Sequence, residues 1–337
     1  MTEKRTSATD LPIVTVENVS VRFPISRTRT LTAVDNVTLS VRRGETFGLI
    51  GESGSGKSTL GRAVVCLQKP AEGRVSHAGH DPYSMRPADL RRHRRQYQII
   101  FQDPAAALDP RMTILKSVRE PLDVLGEGSS TQRNALALEM MERAGLGPGF
   151  AKLYPHQLSG GQKQRACIAR VLTLRPSLIV CDEAVAALDV SIQAEILNLL
   201  ADLQREFGLT YLFITHNIGV VEHISDTIAV MYLGQIIEVA SAEQLSRNYR
   251  HPYTEALLSA EPVALPSHLR PERRIILEGE LPSPMEPPSG CRFRTRCRYA
   301  TARCTAEMPV LREIAPGHRA ACHYAETFRD CQSPGSA

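Results

Sequence analysis

Gly51-Glu52-Ser53-Gly54-Ser55-Gly56-Lys57-Ser58-Thr59 is the stretch that decides the fold. It follows the apolar run Phe47-Gly48-Leu49-Ile50 and precedes a segment with helical character from Thr59. A strand, a phosphate loop and a helix stand here in the order a P-loop requires. The glycines let the backbone curl so that successive N–H groups converge on phosphate. The helix N-terminus adds partial positive charge. Lys57 is placed for the β and γ phosphates, and the Ser58 hydroxyl for Mg²⁺. A Gly/Ser-rich surface loop is the plainer reading, and the full spacing between strand and helix argues against it.

The chain has 337 residues, enough for roughly two domains. At 42% hydrophobic and 23% charged it has a globular composition. No stretch approaches the roughly 18 to 20 apolar residues that cross a bilayer. Met1-Thr2-Glu3-Lys4-Arg5 is polar and leads into no apolar signal segment, so the chain is expected to stay in the cytoplasm. The net charge is only +4, and Arg91-Arg92-His93-Arg94-Arg95 reads as a solvated helix face. With no Trp and 5% aromatics there is no stacking platform for nucleic acid, and no direct nucleic-acid contact is expected. Of eight cysteines, Cys66, Cys167 and Cys181 lie in apolar or mixed segments and read as buried, inert thiols. The other five fall after residue 290, where a cytoplasmic setting argues against disulfides.

Residues 15–22 read as an edge strand, and 31–35 with 37–41 as an antiparallel region before the loop strand. Ile99-Ile100-Phe101-Gln102 is a short strand ending on a polar residue, and 114–122 and 132–143 have helical periodicity. Leu178-Ile179-Val180-Cys181 is a buried strand followed by the acidic pair Asp182-Glu183. A helix over 191–207 and further apolar strands at 211–214 and 228–232 complete an alternation that implies a parallel sheet covered on both faces. After about residue 250, repeated prolines break the chain into pieces too short for a large core. That segment must wrap the main domain or be stapled.

At Leu158-Ser159-Gly160-Gly161-Gln162 a family resemblance becomes specific. With the P-loop, Gln102, Asp182-Glu183 and His216, residues 15–245 resemble the ATPase subunit of an ATP-binding cassette (ABC) transporter. Ile100-Phe101-Gln102-Asp103-Pro104, Tyr154-Pro155-His156-Gln157 and Val230-Met231-Tyr232-Leu233-Gly234 resemble the dipeptide/oligopeptide (and nickel) importer branch, and within it the second of two paired ATPase subunits. The implied fold is an α/β P-loop NTPase of ABC type. It has a mixed central sheet, an antiparallel β subdomain and a helical subdomain at about 103–172. A small irregular cysteine-containing C-terminal region follows. The expected division is 1–249 for the nucleotide-binding domain and 250–337 for the C-terminal region.

Asp182 ends an apolar strand, where a carboxylate is costly unless it serves a cation or hydrogen bonds. It is placed to hold Mg²⁺ with Ser58. Glu183, one residue on, is placed to face water as general base. A solvent-exposed acidic pair is the plainer alternative. The resemblance implies that Gln102 contacts Mg²⁺ and the attacking water and senses a membrane partner. It also implies that His216 bonds the γ phosphate and orients Glu183, although an isolated histidine would be structural. Phe23 stands where the family places an aromatic against adenine, and a core phenylalanine is the other reading. In the same resemblance, residues 51–59 are expected to hold the phosphates, and Ser159, Gly160, Gly161 and Gln162 are implied to cap ATP held by the P-loop of a second subunit in a head-to-tail dimer, with Asp189 at the interface.

Three positions depart from the branch pattern. Ala184 replaces a proline, Ala186-Ala187 replace serine and alanine, and Asn217 replaces an aspartate. None removes a reacting group.

Cys291, Cys297, Cys304 and Cys322 have five, six and seventeen residues between them in a Pro/Arg-rich segment. Four soft thiolates suit an iron–sulfur cluster or Zn²⁺, and zinc pairs are usually spaced more tightly. The branch has a matching tail, which implies a [4Fe–4S] cluster. Free thiols, zinc and disulfides remain open. Cys331 reads as a spare thiol, and His318 and His323 as packing residues.

The expected activity is hydrolysis of Mg²⁺-ATP, energising import of dipeptides or oligopeptides. The implied partners are a paralogous ABC ATPase in a heterodimer, two transmembrane permease subunits and an extracytoplasmic peptide-binding protein. The implied location is peripheral, on the cytoplasmic face of the inner or plasma membrane. An importer for nickel or another small solute is one alternative. A non-transport ABC ATPase acting on nucleic acid or ribosomes is another.

Overall fold

β3 (Thr46–Ile50), β6 (Leu178–Asp182) and β7 (Thr210–Thr215) are buried at every residue. Their near-continuous apolar sequence follows from being covered on both faces. Phe47, Leu49, Val180, Leu212 and Ile214 enter one core, while Ile50, Ile179, Cys181, Tyr211 and Phe213 enter the other. The same strands therefore serve two cores through their two-residue side-chain period.

The computed structural model describes residues 12–26, 29–260, 275–277, 279–280 and 282–328, so Cys331 lies outside the described residues. The other strands are β1 (Pro12–Pro24), β2 (Thr30–Arg42), β4 (Glu72–His77), β5 (Tyr97–Ile100), β8 (Thr227–Tyr232), β9 (Gln235–Ser241), β10 (Arg312–Ala315) and β11 (His318–Ala320). An eight-stranded sheet runs β10-β11-β9-β8-β3-β7-β6-β5, and a three-stranded sheet runs β2-β1-β4. The large sheet is mixed. β8, β3, β7, β6 and β5 are parallel neighbours, while β9, β11 and β10 are added antiparallel.

Residues 15–22 are corrected from an edge strand to a central one. β1 pairs with β2 on one side and β4 on the other. The sequence of β4, Glu72-Gly73-Arg74-Val75-Ser76-His77, carries little apolar signal, and its first three residues are exposed. The short strand at Gln102 is also shifted. β5 ends at Ile100, leaving Phe101 and Gln102 exposed beyond it.

Helices Ile114–Leu125, Ser130–Arg143 and Gly160–Leu172 pack together beside the sheet and bury Ile114, Val118, Ala137, Met140, Met141 and Ile168. No helix among the described residues is long and apolar enough to cross a membrane.

The segment after residue 250 wraps rather than standing apart. Helix Pro252–Ser259 is capped by His251, whose Nδ1 accepts from the Tyr253 N–H at 3.0 Å. Burial pushes the His251 imidazole down to about 3, which keeps that nitrogen free to accept. Phe293 enters the helical-side core against Tyr232 and Tyr253, with ring centroids 5.3 and 5.4 Å away. β11 pairs with β9. At that seam Glu238 is fully buried and accepts from Arg250 N–H at 2.5 Å, Thr254 Oγ1 at 2.5 Å and His318 Nε2 at 2.7 Å.

Replacing Glu238 with Ala strands two buried donors, Thr254 and His318, and the half-buried Arg250 N–H. Urea unfolding should show a loss of roughly 3–5 kcal/mol, with Glu238→Gln losing less because it retains an acceptor. Equal stability of Glu238→Ala and the parent would remove this seam as a determinant of tail docking.

Candidate active site

The parallel strands deliver their polar residues at one end, beyond the C-terminal ends of β3, β5, β6 and β7. This is where open α/β sheets bind ligands. β3 leads into the 51–59 loop, which passes close beneath two other backbones. A Cβ on Gly51 would lie 2.2 Å from the Met231 carbonyl oxygen, and one on Gly56 would lie 2.1 Å from that of Ala33. Both residues have positive φ, 150° and 103°. Only glycine satisfies both constraints.

Lys57 opens the helix Lys57–Val64. Its Nζ donates to the carbonyls of Gly51 at 2.7 Å and Glu52 at 2.8 Å. Burial holds its pKa below the ordinary lysine value, while Glu183, Asp182 and Glu52 pull it back up. Ser58 Oγ donates to Asp182 Oδ1 at 2.6 Å, joining the loop to the end of β6. Burial raises the Asp182 carboxyl above its usual range, and the Ser58 hydrogen bond partly offsets this. A divalent cation there would favour the charged form.

Glu183 is gripped from both sides. Gln102 Nε2 donates to Oε2 at 2.7 Å, and His216 Nδ1 meets Oε1 at 3.3 Å. These partners come from the loops after β5 and β7. The Glu183 backbone sits at φ 49°, a strained conformation for a non-glycine residue, and its N–H is held by the Ile214 carbonyl at 2.9 Å. An oriented, largely shielded carboxylate of this kind is suited to take a proton from water.

The Ser159 segment stands elsewhere. Ser159 caps helix Gly160–Leu172 in a reciprocal box with Gln162. Ser159 and Gly160 are exposed. A Cβ on Gly161 would meet Ile192 Cγ2 at 2.6 Å, so the glycine lets helix Val190–Phe207 approach. Among the described residues, no side-chain hydrogen bond links Ser159 or Gln162 to residues 51–59. Phe23 is half-buried, paired with Leu31 in the β1–β2 ladder and packed on the second core.

This arrangement has known counterparts. Residues 34–186 match the family described as ABC transporter, and residues 237–304 match the family described as oligopeptide/dipeptide transporter, C-terminal region. The putative oligopeptide transport ATP-binding protein YkfD of Bacillus subtilis (strain 168) is 48% identical over 314 residues, covering 93% of this chain and 95% of that protein. The chain belongs to the ABC transporter ATP-binding family. The oligopeptide transport ATP-binding protein AppF of the same strain is 46% identical, covering 94% of this chain and 99% of AppF. The putative peptide import ATP-binding protein BOV_A0347 of Brucella ovis is 49% identical, covering 93% of this chain and 98% of that protein. Among solved structures, the dimeric post-hydrolysis state of the ATP-binding cassette MJ0796 bound to ADP and Pi superposes with a TM-score of 0.62 at 34% identity. It covers 68% of this chain and 98% of that one.

Within this ABC ATPase one departure from the branch pattern, Asn217, has a local explanation, and nothing in the structure explains Ala184 or Ala186-Ala187. Asn217 caps helix Ile218–Ile224 by accepting from the Val220 N–H at 3.3 Å, so the amide oxygen does what a carboxylate would. Ala184 is buried at 3% exposure.

Sequence reasoning assigned no role to two residues that touch the phosphate loop, Tyr253 and Arg296, or to Arg292, which braces the neighbouring Leu233 turn. Tyr253 Oη accepts from the Glu52 N–H at 2.8 Å. Arg296 Nη1 reaches both Glu52 carboxylate oxygens, at 3.2 and 2.9 Å. Arg292 bonds the Leu233 carbonyl and pairs with Asp35. The available signal was the clustering of arginines around Cys291 and Cys297 in a segment otherwise poor in structure.

The four tail cysteines Cys291, Cys297, Cys304 and Cys322 line one cavity of about 250 Å³ with Phe293, Tyr299 and Phe328. Among the described residues no group of three or more His, Cys, Asp or Glu is arranged to hold a metal ion.

Glu183→Gln should retain ATP binding while slowing turnover by about 10²–10⁴-fold, because only the proton acceptor is lost. Single-turnover hydrolysis with radiolabelled ATP measures this, and near-parental turnover would remove Glu183 from the chemistry.

Proposed function

We propose that the chain hydrolyses ATP to energise import of dipeptides or oligopeptides through a membrane ABC transporter. The observation that carries this is the convergence of Lys57, Ser58, Asp182, Gln102, Glu183 and His216 from four strand ends. It is joined by relatives named for peptide transport along nearly the whole chain.

In this reading residues 51–59 cradle the phosphates and Phe23 supports adenine. Ser58, Gln102 and Asp182 would hold Mg²⁺, which when bound offsets the phosphate charge. Glu183 takes a proton as water attacks the γ phosphorus. The bond to the β–γ bridging oxygen breaks, leaving ADP and inorganic phosphate. His216 keeps Glu183 oriented and bonds the γ phosphate.

Exposed Ser159 and Gly160, with Asp189 and the 83% exposed Val190, form a surface suited to close over ATP held by a second ATPase. The partner is a paralogous subunit whose closed state binds ATP better than ADP.

A groove of about 380 Å³ lies beside Gln102, lined by exposed Leu67, Phe101 and Val124 with Ile99, Cys167 and Arg170. An amphipathic helix of a permease subunit fits such a groove and would sense the loop after β5, whose Gln102 holds Glu183. Two permeases and an extracytoplasmic peptide-binding protein complete the importer. The chain would then sit peripherally on the cytoplasmic face of the membrane.

The cysteine cavity supports a [4Fe–4S] site in kind. It offers four thiols and no carboxylate among its lining residues. Burial pushes the Cys297 thiol up to about 11 and the Cys322 thiol up to about 12, so ligation would require proton release. A cluster held by Cys291, Cys297, Cys304 and Cys322 would cross-link the tail.

Val124→Asp should leave ATP binding by the isolated subunit unchanged and reduce co-purification with the permeases by about tenfold or more. Undiminished co-purification would move the docking site elsewhere. Anaerobically prepared protein should contain iron and sulfide in equal amounts. Zinc without iron, or neither, would replace the cluster reading.

A further inference from the structure

An acidic residue inside a phosphate loop is electrostatically awkward. Glu52 is the second residue of the loop, and its charge acts on Lys57, the lysine placed for the phosphates. Left free, this carboxylate would oppose a polyanionic ligand. It is not free. Arg296, 9% exposed at its side chain, donates to both of its oxygens, and Tyr253 takes the Glu52 N–H.

Arg296 lies between Cys291 and Cys297, next to Cys297, in the segment that also packs Phe293 against the paired rings of Tyr232 and Tyr253. On the same segment Arg292 grips the Leu233 carbonyl and Asp35. That turn is tied to the loop, because Gly234 N–H donates to the Ser55 carbonyl at 2.9 Å and Asp35 N–H to the Gly234 carbonyl at 2.9 Å. Leu233 itself is held at φ 42°. The cysteine segment therefore contacts the phosphate loop both directly through Glu52 and indirectly through this turn.

We infer that Arg296 is a positioning residue for the nucleotide site. It neutralises and turns aside the Glu52 carboxylate, so nucleotide affinity depends on the conformation of the Cys291–Cys297 segment. The inference rests on the nucleotide reading of residues 51–59, which Lys57→Ala tests separately. A perturbation of the cysteine cavity reaches ATP by releasing Arg296 from Glu52. The neutral amide in Glu52→Gln makes the site indifferent to that release.

The test is equilibrium binding of a fluorescent ATP analogue to the full chain, alongside the melting temperature of the nucleotide-free protein. Arg296→Gln should weaken binding by about tenfold, with Arg296→Lys largely restoring it. In the Glu52→Gln background, Arg296→Gln should change binding by less than about twofold. Cys297→Ser should weaken binding in the parent and have no further effect beside Glu52→Gln. A purely structural role for Arg296 would lower the melting temperature in both backgrounds and weaken binding equally in both, and that result overturns the inference. Unchanged binding by Arg296→Gln in the parent also overturns it. If Lys57→Ala binds the analogue as well as the parent does, the nucleotide reading fails instead.

Discussion

A carboxylate at the end of a fully buried strand is the constraint around which this site is built. Asp182 closes β6 at 4% exposure, and its tolerated presence depends on the Ser58 hydroxyl 2.6 Å away. That bond fixes the first turn of the loop helix against the middle of the sheet. Ser58 is held by its neighbours only because Gly51 and Gly56 let the loop lie against the Met231 and Ala33 carbonyls. The loop, the sheet and the acidic pair thus form one interlocked unit.

Strain is concentrated one residue further on. Glu183 adopts a left-handed backbone conformation and is held by the Ile214 carbonyl, Gln102 and His216. Three separate elements over-determine it, which is the condition under which such strain persists. The same grip ties Glu183 to the loop after β5, where a groove opens beside Phe101. The departures from the branch pattern adjoin this centre, Ala184 next to Glu183 and Asn217 next to His216, and leave its side-chain contacts in place. Asn217 keeps its capping role, and Ala184 remains buried.

The tail is continuous with the ATPase rather than appended to it. β10 and β11 extend the main sheet past β9, Phe293 joins the core shared by β6 and β7, and Glu238 ties strand, helix and tail together. A segment poor in apolar residues is ordered here by borrowing the core of its neighbour. The four cysteines line one cavity, while Arg292 and Arg296, interleaved with Cys291 and Cys297 in sequence, bond the Leu233 carbonyl and Glu52.

The sequence by itself determined the elements whose residues are contiguous. The 51–59 loop, the acidic pair after an apolar run and the Ser159 helix start are local patterns, because backbone curvature, strand burial and capping are set by near neighbours. Family resemblance extended this to Gln102 and His216, whose own surroundings are unremarkable. The central position of β1 was not legible, because its partner β4 carries too few apolar residues to mark a strand. Nor was the Arg296–Glu52 pair, whose members are separated by 244 positions. Charge pairing across such a distance has no periodicity and no spacing rule. Only the tertiary path of the tail, set by where Phe293 and Glu238 are buried, decided that an arginine beside a cysteine would meet the phosphate loop.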